Sequence, residues 1–149
     1  MVDAAKPSVD EVASDVQAAV RLLVQRLRQT KAGEGDDLSS SETSALARLD
    51  RTGPATSADL ARLERISPQS IGATLAALEA RGLVTRRADP ADGRRAILSM
   101  TDSGQALLSR RRSARSDLLS QALAANFTRT ELKQLQVAAP LIERLAETI

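Results

Sequence analysis

Residues 67–101 read SPQSIGATLAALEARGLVTRRADPADGRRAILSMT, and this stretch decides the fold. Ser67 is an N-cap residue and Pro68 suits the first helical position, where a missing N–H costs nothing. Ile71, Leu75 and Leu78 recur on one stripe and are expected to be buried. That turns Gln69, Ser70, Ala73, Thr74 and Ala77 outward. Gly82 closes the helix as its left-handed cap. Two short extended segments follow, Leu83 to Ala88 and Ala96 to Met100. Between them Asp89-Pro90-Ala91-Asp92-Gly93 supplies strong turn dipeptides, so the pair reads as a hairpin with Arg94 and Arg95 at its returning edge.

Upstream, Thr56 starts a shorter helix, with Asp59 as its reciprocal capping partner and Leu60 and Leu63 as inward positions. Before it, Ser39-Ser40-Ser41-Glu42 offers a capping box to a helix that buries Leu46 and Leu49 and ends at Gly53-Pro54. Val9, Val12, Val16, Val20, Leu23 and Leu27 recur at spacings of three and four, which predicts an amphipathic first helix over Val9–Arg28. The break at Ala32–Asp37 holds two glycines and no periodicity. Downstream, Thr101 caps a fifth helix running to about Ala125, on the order of 35 Å long, whose far end is expected to project. Its apolar positions Leu107, Leu108, Leu118, Leu119, Ala122 and Leu123 are interrupted by Arg110, Arg111, Arg112 and Arg115, which read as a wet face. Thr128-Arg129-Thr130-Glu131 opens a last helix with Leu132, Leu135, Leu141, Ile142 and Leu145 on its apolar side. Pro140 is expected to kink it.

A chain of 149 residues is one domain or a domain with extensions, long enough to bury a core unaided. No apolar run is long enough to span a membrane, and Met1 to Ser14 lacks the apolar region of a secretory signal. Cys and His are absent. That removes disulfides, thiol chemistry, imidazole acid–base catalysis and the usual zinc ligands, so neither metal nor cofactor is expected. It also fits a reducing, cytoplasmic setting. Trp and Tyr are absent too, which leaves Phe127 alone and denies single-strand binders their stacking platform. Net charge is +2, yet Arg81–Arg95 carries five arginines against Asp89 and Asp92. A local excess beside a turn points to nucleic acid more strongly than the global value does.

The order helix, turn, helix, hairpin suits a duplex. A helix enters a major groove when its exposed side chains are short or can hydrogen-bond. Gln69 is suited to a bidentate contact with adenine, and Ser70 and Thr74 to hydrogen bonds or a thymine methyl. The helix N-terminus at Ser67–Ser70 favours a phosphate. A hairpin tip with Arg94 and Arg95 fits a flanking minor groove, where the negative potential attracts arginine. The candidate DNA contacts are therefore Ser67, Pro68, Gln69, Ser70, Thr74, Arg86, Arg94 and Arg95.

These residues also carry a resemblance. Ala55-Thr56-Ser57-Ala58-Asp59-Leu60-Ala61, Ser67-Pro68-Gln69-Ser70, Leu78-Glu79-Ala80-Arg81-Gly82-Leu83-Val84, Asp89-Pro90-Ala91-Asp92-Gly93-Arg94-Arg95 and Leu98-Ser99-Met100-Thr101-Asp102-Ser103-Gly104 together make the chain resemble the MarR family of bacterial winged-helix regulators. Phe127-Thr128-Arg129-Thr130-Glu131-Leu132 resembles the start of that family's last helix. The resemblance implies a mainly α fold with a small β-hairpin wing: a winged helix-turn-helix over residues 36–100, between dimerisation helices at 1–35 and 101–149. It implies a homodimer whose outer helices intertwine, a recognition helix at Pro68–Arg81 and a wing at Asp89–Arg95. By similarity, Arg94 is the minor-groove residue and Asp92 orients it through an ion pair. The implied action is repression at a promoter, relieved by a small anionic ligand.

The apolar positions of the terminal helices point to a dimer independently, because left single they would expose a larger patch than monomers tolerate. The dimerisation candidates are Val9, Val12, Val16, Leu119, Leu123, Leu132, Leu135, Leu141, Ile142 and Leu145. A two-fold dimer calls for a pseudo-palindromic operator. An anionic ligand would rely on arginine and aliphatic contacts, with Arg21, Arg26 or Arg48 as candidates. The absence of Cys and His argues against thiol or zinc sensing. The alternative function is a winged-helix protein–protein module, which predicts weak, salt-independent behaviour towards DNA. An enzyme is disfavoured, since Asp36-Asp37 lie in a loop with no polar pocket implied. A non-specific architectural binder would need a larger basic excess.

Overall fold

A computed structural model describes residues 6–33 and 35–149; the first five residues of the Met1–Ser14 stretch, and Glu34 of the interhelical break, lie outside the described residues. The element order is α1 (Val9–Arg28), α2 (Ser40–Thr52), β1 (Ala55–Thr56), α3 (Ser57–Glu64), α4 (Pro68–Ala80), β2 (Val84–Ala88), β3 (Ala96–Met100), α5 (Asp102–Asn126) and α6 (Arg129–Thr148). The chain forms two compact units, one up to Arg112 and one from Ser113 onward. No helix among the described residues is long and apolar enough to cross a membrane.

Each helix starts where its capping chemistry allows. Ser8, Ser39 and Thr128 each complete a capping box with the glutamate three residues on. Thr56 and Ser67 accept the N–H groups of Asp59 and Ser70, both at 3.1 Å. Thr101 secures the start of α5: its hydroxyl donates to the Gly82 carbonyl (2.6 Å) and accepts from the Gly104 N–H (3.1 Å), while its own N–H reaches the Leu83 carbonyl (3.1 Å). Gly104 is obligatory in that corner. A Cβ there would lie 2.2 Å from the Leu83 carbonyl oxygen.

The core of the first unit is aliphatic. Leu46 and Leu49 of α2, Leu60 of α3, Ile71, Leu75 and Leu78 of α4, Leu83, Val84, Leu98 and Leu107 pack together, with Ala45 and Ala61 filling the gaps. The sheet is antiparallel with order β1-β3-β2. Val84 pairs with Met100, and Ala88 with Ala96, across the β2–β3 hairpin. The hairpin was expected; β1 was not. Ala55 and Thr56 pair with Leu98 and Ile97, so the wing is a three-stranded sheet. The first hairpin strand begins at Val84, one residue later than expected, because the Leu83 N–H closes the α4 cap.

Three further expectations need correcting. Leu63 is not inward: it is 38% exposed. At about 100° per residue it lies about 110° round α3 from the midpoint of Leu60 and Ala61, the face that packs. Arg111 is not on a wet face. It is buried with Leu107 and Leu108, and its Nε lies 3.2 Å from an Asp36 carboxylate oxygen. Asp36, read as a loop acid with no polar pocket, is buried with it.

The second unit comprises the far half of α5 and the whole of α6. α6 runs unbroken through Pro140. Leu123 and Leu132 are half-buried there and, with Leu135, line an open apolar groove.

Candidate nucleic-acid interface

α4 presents two unlike faces. Ile71, Leu75 and Leu78 are buried, whereas Gln69, Ser70, Ala73 and Ala77 are exposed and Thr74 is half-buried. Capping occupies the Ser67 hydroxyl, which accepts from the Ser70 N–H and donates to the Ser70 hydroxyl (2.9 Å). Ser70 keeps its own O–H free to donate. The Thr74 hydroxyl donates to the Ser70 carbonyl (3.0 Å). Gln69 makes no side-chain hydrogen bond among the described residues, so both its donor and its acceptor face water.

The wing tip is fixed by its acids. The Asp89 carboxylate accepts from the Ala91 N–H (2.9 Å), and Asp92 accepts from the Arg94 N–H (3.1 Å). The Asp89 N–H reaches the Arg95 carbonyl, and the Arg95 N–H the Asp92 carbonyl, both at 3.0 Å. The same Asp92 oxygen lies 3.5 Å from the Arg94 Nε, yet the Arg94 side chain is 95% exposed. The guanidinium therefore has one carboxylate beside it and is otherwise bare. Arg95 is exposed as well. Arg86 differs, because its Nε lies 3.3 Å from the Glu79 carboxylate of α4, tying wing to helix.

Ion pairs hold this platform from behind. Arg81, at the end of α4, donates to the Gly35 carbonyl (2.9 Å) and pairs with Asp37 and, at 3.4 Å, with Glu42. Arg48 of α2 pairs with Glu64 of α3 (2.7 Å), and Ser44 donates to the same carboxylate. Partial burial pushes the Glu64 carboxyl up, but Ser44 and Arg48 outweigh it and hold the group below the ordinary glutamate value. Asp50 is held low chiefly by its hydrogen bond from Arg112 (2.6 Å), which ties α2 to α5. Asp59 is held low first by hydrogen bonding with Thr56, then by Arg62 and Arg95. Among the described residues no cluster of acids could hold a metal ion.

Residues 36–95 match the MarR family profile. A helix-turn-helix transcriptional regulator of Mycobacterium tuberculosis is 35% identical over 136 residues, covering 91% of this chain and 93% of that protein. The chain belongs to the MarR family. A Pseudomonas aeruginosa structure assigned to transcriptional regulation is 31% identical, with a TM-score of 0.80, and covers 92% of this chain and 95% of its own. A Staphylococcus aureus MepR variant, solved bound to an oligodeoxyribonucleotide, shares the fold: TM-score 0.67 at 22% identity, over 93% of this chain and 98% of that one. This MarR-family chain is thus a DNA-binding transcriptional regulator of winged-helix type, and the family is not enzymatic.

Sequence reasoning missed the supports of the site. Asp36, Arg111, Arg81 and Arg48 were not assigned structural roles, although one signal was available. Gly104, Leu107, Leu108 and Arg111 follow the i, i+3, i+4, i+7 rule, so Arg111 falls on the buried stripe of α5. Arg48, considered as a ligand cation, is engaged by Glu64.

Proposed function

We propose that the protein is a homodimeric repressor that reads a pseudo-palindromic operator in the cytoplasm. Residues 36–100 do the reading. α4 enters the major groove through Gln69, Ser70 and Thr74, with Ser67 and Pro68 placing its N-terminus near a phosphate. The wing enters the adjacent minor groove through Arg94, with Asp92 aiming it and Arg95 and Arg86 on the flanking backbone. The observation that carries this reading is the pairing of an exposed small-polar face on α4 with a bare arginine at the wing tip.

Residues 1–35 and 101–149 supply the dimer interface. No residue of α1 or α6 is buried, and Val9, Val12, Leu135, Leu141, Ile142 and Leu145 are exposed apolar side chains. Val16, Leu119, Leu123 and Leu132 are half-buried and extend the same surfaces. Such faces call for a partner, and the occupant proposed for each is a second copy of the chain. Two recognition helices then meet successive major grooves, about 34 Å apart. Relief of repression by a small anionic ligand completes the proposal. Arg21 and Arg26 on α1 are exposed cations available to it.

Selection of bound sequences from a random duplex pool tests the reading. A two-fold symmetric consensus with half-sites one helical turn apart is expected, together with a dimer by sedimentation. A pool that stays random, or a monomer at micromolar concentration, refutes it. The Gln69→Ala variant should relax base preference at one position per half-site.

A further inference from the structure

α3 and α4 end on the same motif but with different residues at its left-handed position. In α4 the Leu83 N–H reaches the Leu78 carbonyl (3.0 Å) and the Gly82 N–H reaches Glu79 (3.0 Å), with Gly82 at φ 70°. In α3 the Ile66 N–H reaches the Ala61 carbonyl (3.0 Å) and the Arg65 N–H reaches Arg62 (3.2 Å), with Arg65 at φ 54° and ψ 43°. This position favours glycine, because a Cβ there crowds the backbone. Arg65 is the sole non-glycine residue with positive φ among those described. The turn between the two helices thus carries an arginine against its backbone preference.

The charge of Arg65 is also unspent. Arg62 pairs with Asp59, Arg48 with Glu64, Arg81 with Asp37 and Glu42, and Arg86 with Glu79. The Arg65 guanidinium makes no ion pair or side-chain hydrogen bond among the described residues, and the residue is exposed. It stands two positions before Ser67, the N-cap of α4.

We propose that Arg65 is a DNA-backbone anchor, its free guanidinium taking a phosphate at the rim of the groove that α4 enters. The inference rests on the DNA-reading role of α4 proposed above.

Arg65→Gly and Arg65→Lys in the full chain test it, with binding of the selected operator and of a random-sequence duplex measured by anisotropy across salt concentrations, and thermal melts alongside. Loss of one phosphate contact per protomer, two per proposed dimer, lowers the slope of log K against log salt by about 1.8, which corresponds to about thirtyfold weaker binding near 0.15 M salt. Arg65→Gly should show that loss on both duplexes, since phosphates carry no sequence. Its Tm should rise by about 1–4 °C as the left-handed strain is relieved. Arg65→Lys should keep the slope. An unchanged slope in Arg65→Gly, or an equal loss in Arg65→Lys, overturns the proposal. So does a lowered Tm, which would assign the charge to the C-terminal dipole of α3 instead. If the wild type binds neither duplex, the DNA-reading role of α4 fails with it; if the wild type binds and Arg65→Gly matches it, only the anchor fails.

Discussion

Arg111→Ala and Asp36→Ala should each cost far more stability than a surface ion pair can account for. An exposed pair contributes about 0.2–1 kcal/mol. Here the two side chains retain only 5% and 1% of their exposure. Removing one partner then leaves the other charge buried and uncompensated, at about 3–5 kcal/mol. The losses extend beyond the pair. Asp36 also accepts the Ala32 N–H (2.7 Å), and Arg111 donates to the Thr43 hydroxyl of α2. Against a typical domain stability of about 5–15 kcal/mol, that is about a fifth of the total or more. With a urea m-value of about 2 kcal/mol/M, the midpoint should fall by about 1.5–2.5 M. The chain has no Trp or Tyr, so far-UV circular dichroism is the appropriate probe, at one fixed protomer concentration because the proposed dimer would make stability concentration-dependent. The double variant Asp36→Leu/Arg111→Met removes both charges and retains apolar volume. It should recover to within about 1–2 kcal/mol of wild type. Single variants that each cost under about 1 kcal/mol, or a double variant as unstable as the two singles summed, would refute the reasoning.

Arg94→Ala should lower operator affinity by about 1–3 kcal/mol and the salt slope by about one unit for each protomer of the proposed dimer, with the melting curve unchanged, as titrations at several salt concentrations would show. Gly104→Ala should destabilise by at least about 1–3 kcal/mol, because the new methyl meets the Leu83 carbonyl oxygen at 2.2 Å rather than a flexible side chain; a melt that matches wild type would contradict that geometry. Glu64, Asp50, Asp59 and Glu131 are all held below their ordinary values, so folding favours their ionised forms. Their contribution is complete above the ordinary carboxylate range near pH 4 and is lost as pH falls through the depressed folded values. With no His or Cys, urea midpoints should be level from pH 6 to 7 and drop below about pH 4.5; a step near pH 6.5 would contradict this.

Much of the fold is legible because its signals are local. Ser39, Thr56, Ser67, Thr101 and Thr128 mark the helix starts, and Gly53 and Gly82 mark ends, each through bonds within a few residues. The stripe Ile71, Leu75, Leu78 tells which face of α4 is covered without reference to any other element. β1 lacks such a signal. Two residues, Ala55 and Thr56, have no periodicity to read, and they are a strand only because Leu98 and Ile97 stand opposite them.

The candidate site divides along the same line. Its exposed half can be read directly, since a side chain left in water after the stripe is assigned needs no partner to locate it; Gln69 and Arg94 are such cases. Its buried half needs more than composition, because the arginines of this chain are alike in composition and differ in phase and in what faces them. Arg110 and Arg111 are neighbours, yet one is exposed and the other lies in the core beside Asp36. Helical phase separates them, whereas a count of charges does not. Arg86 shows the converse: it belongs to the basic hairpin, but Glu79 already balances it, so its share in binding should be smaller than that of Arg94. In a chain with net charge +2, affinity for a polyanion depends on which few arginines the fold leaves unbalanced.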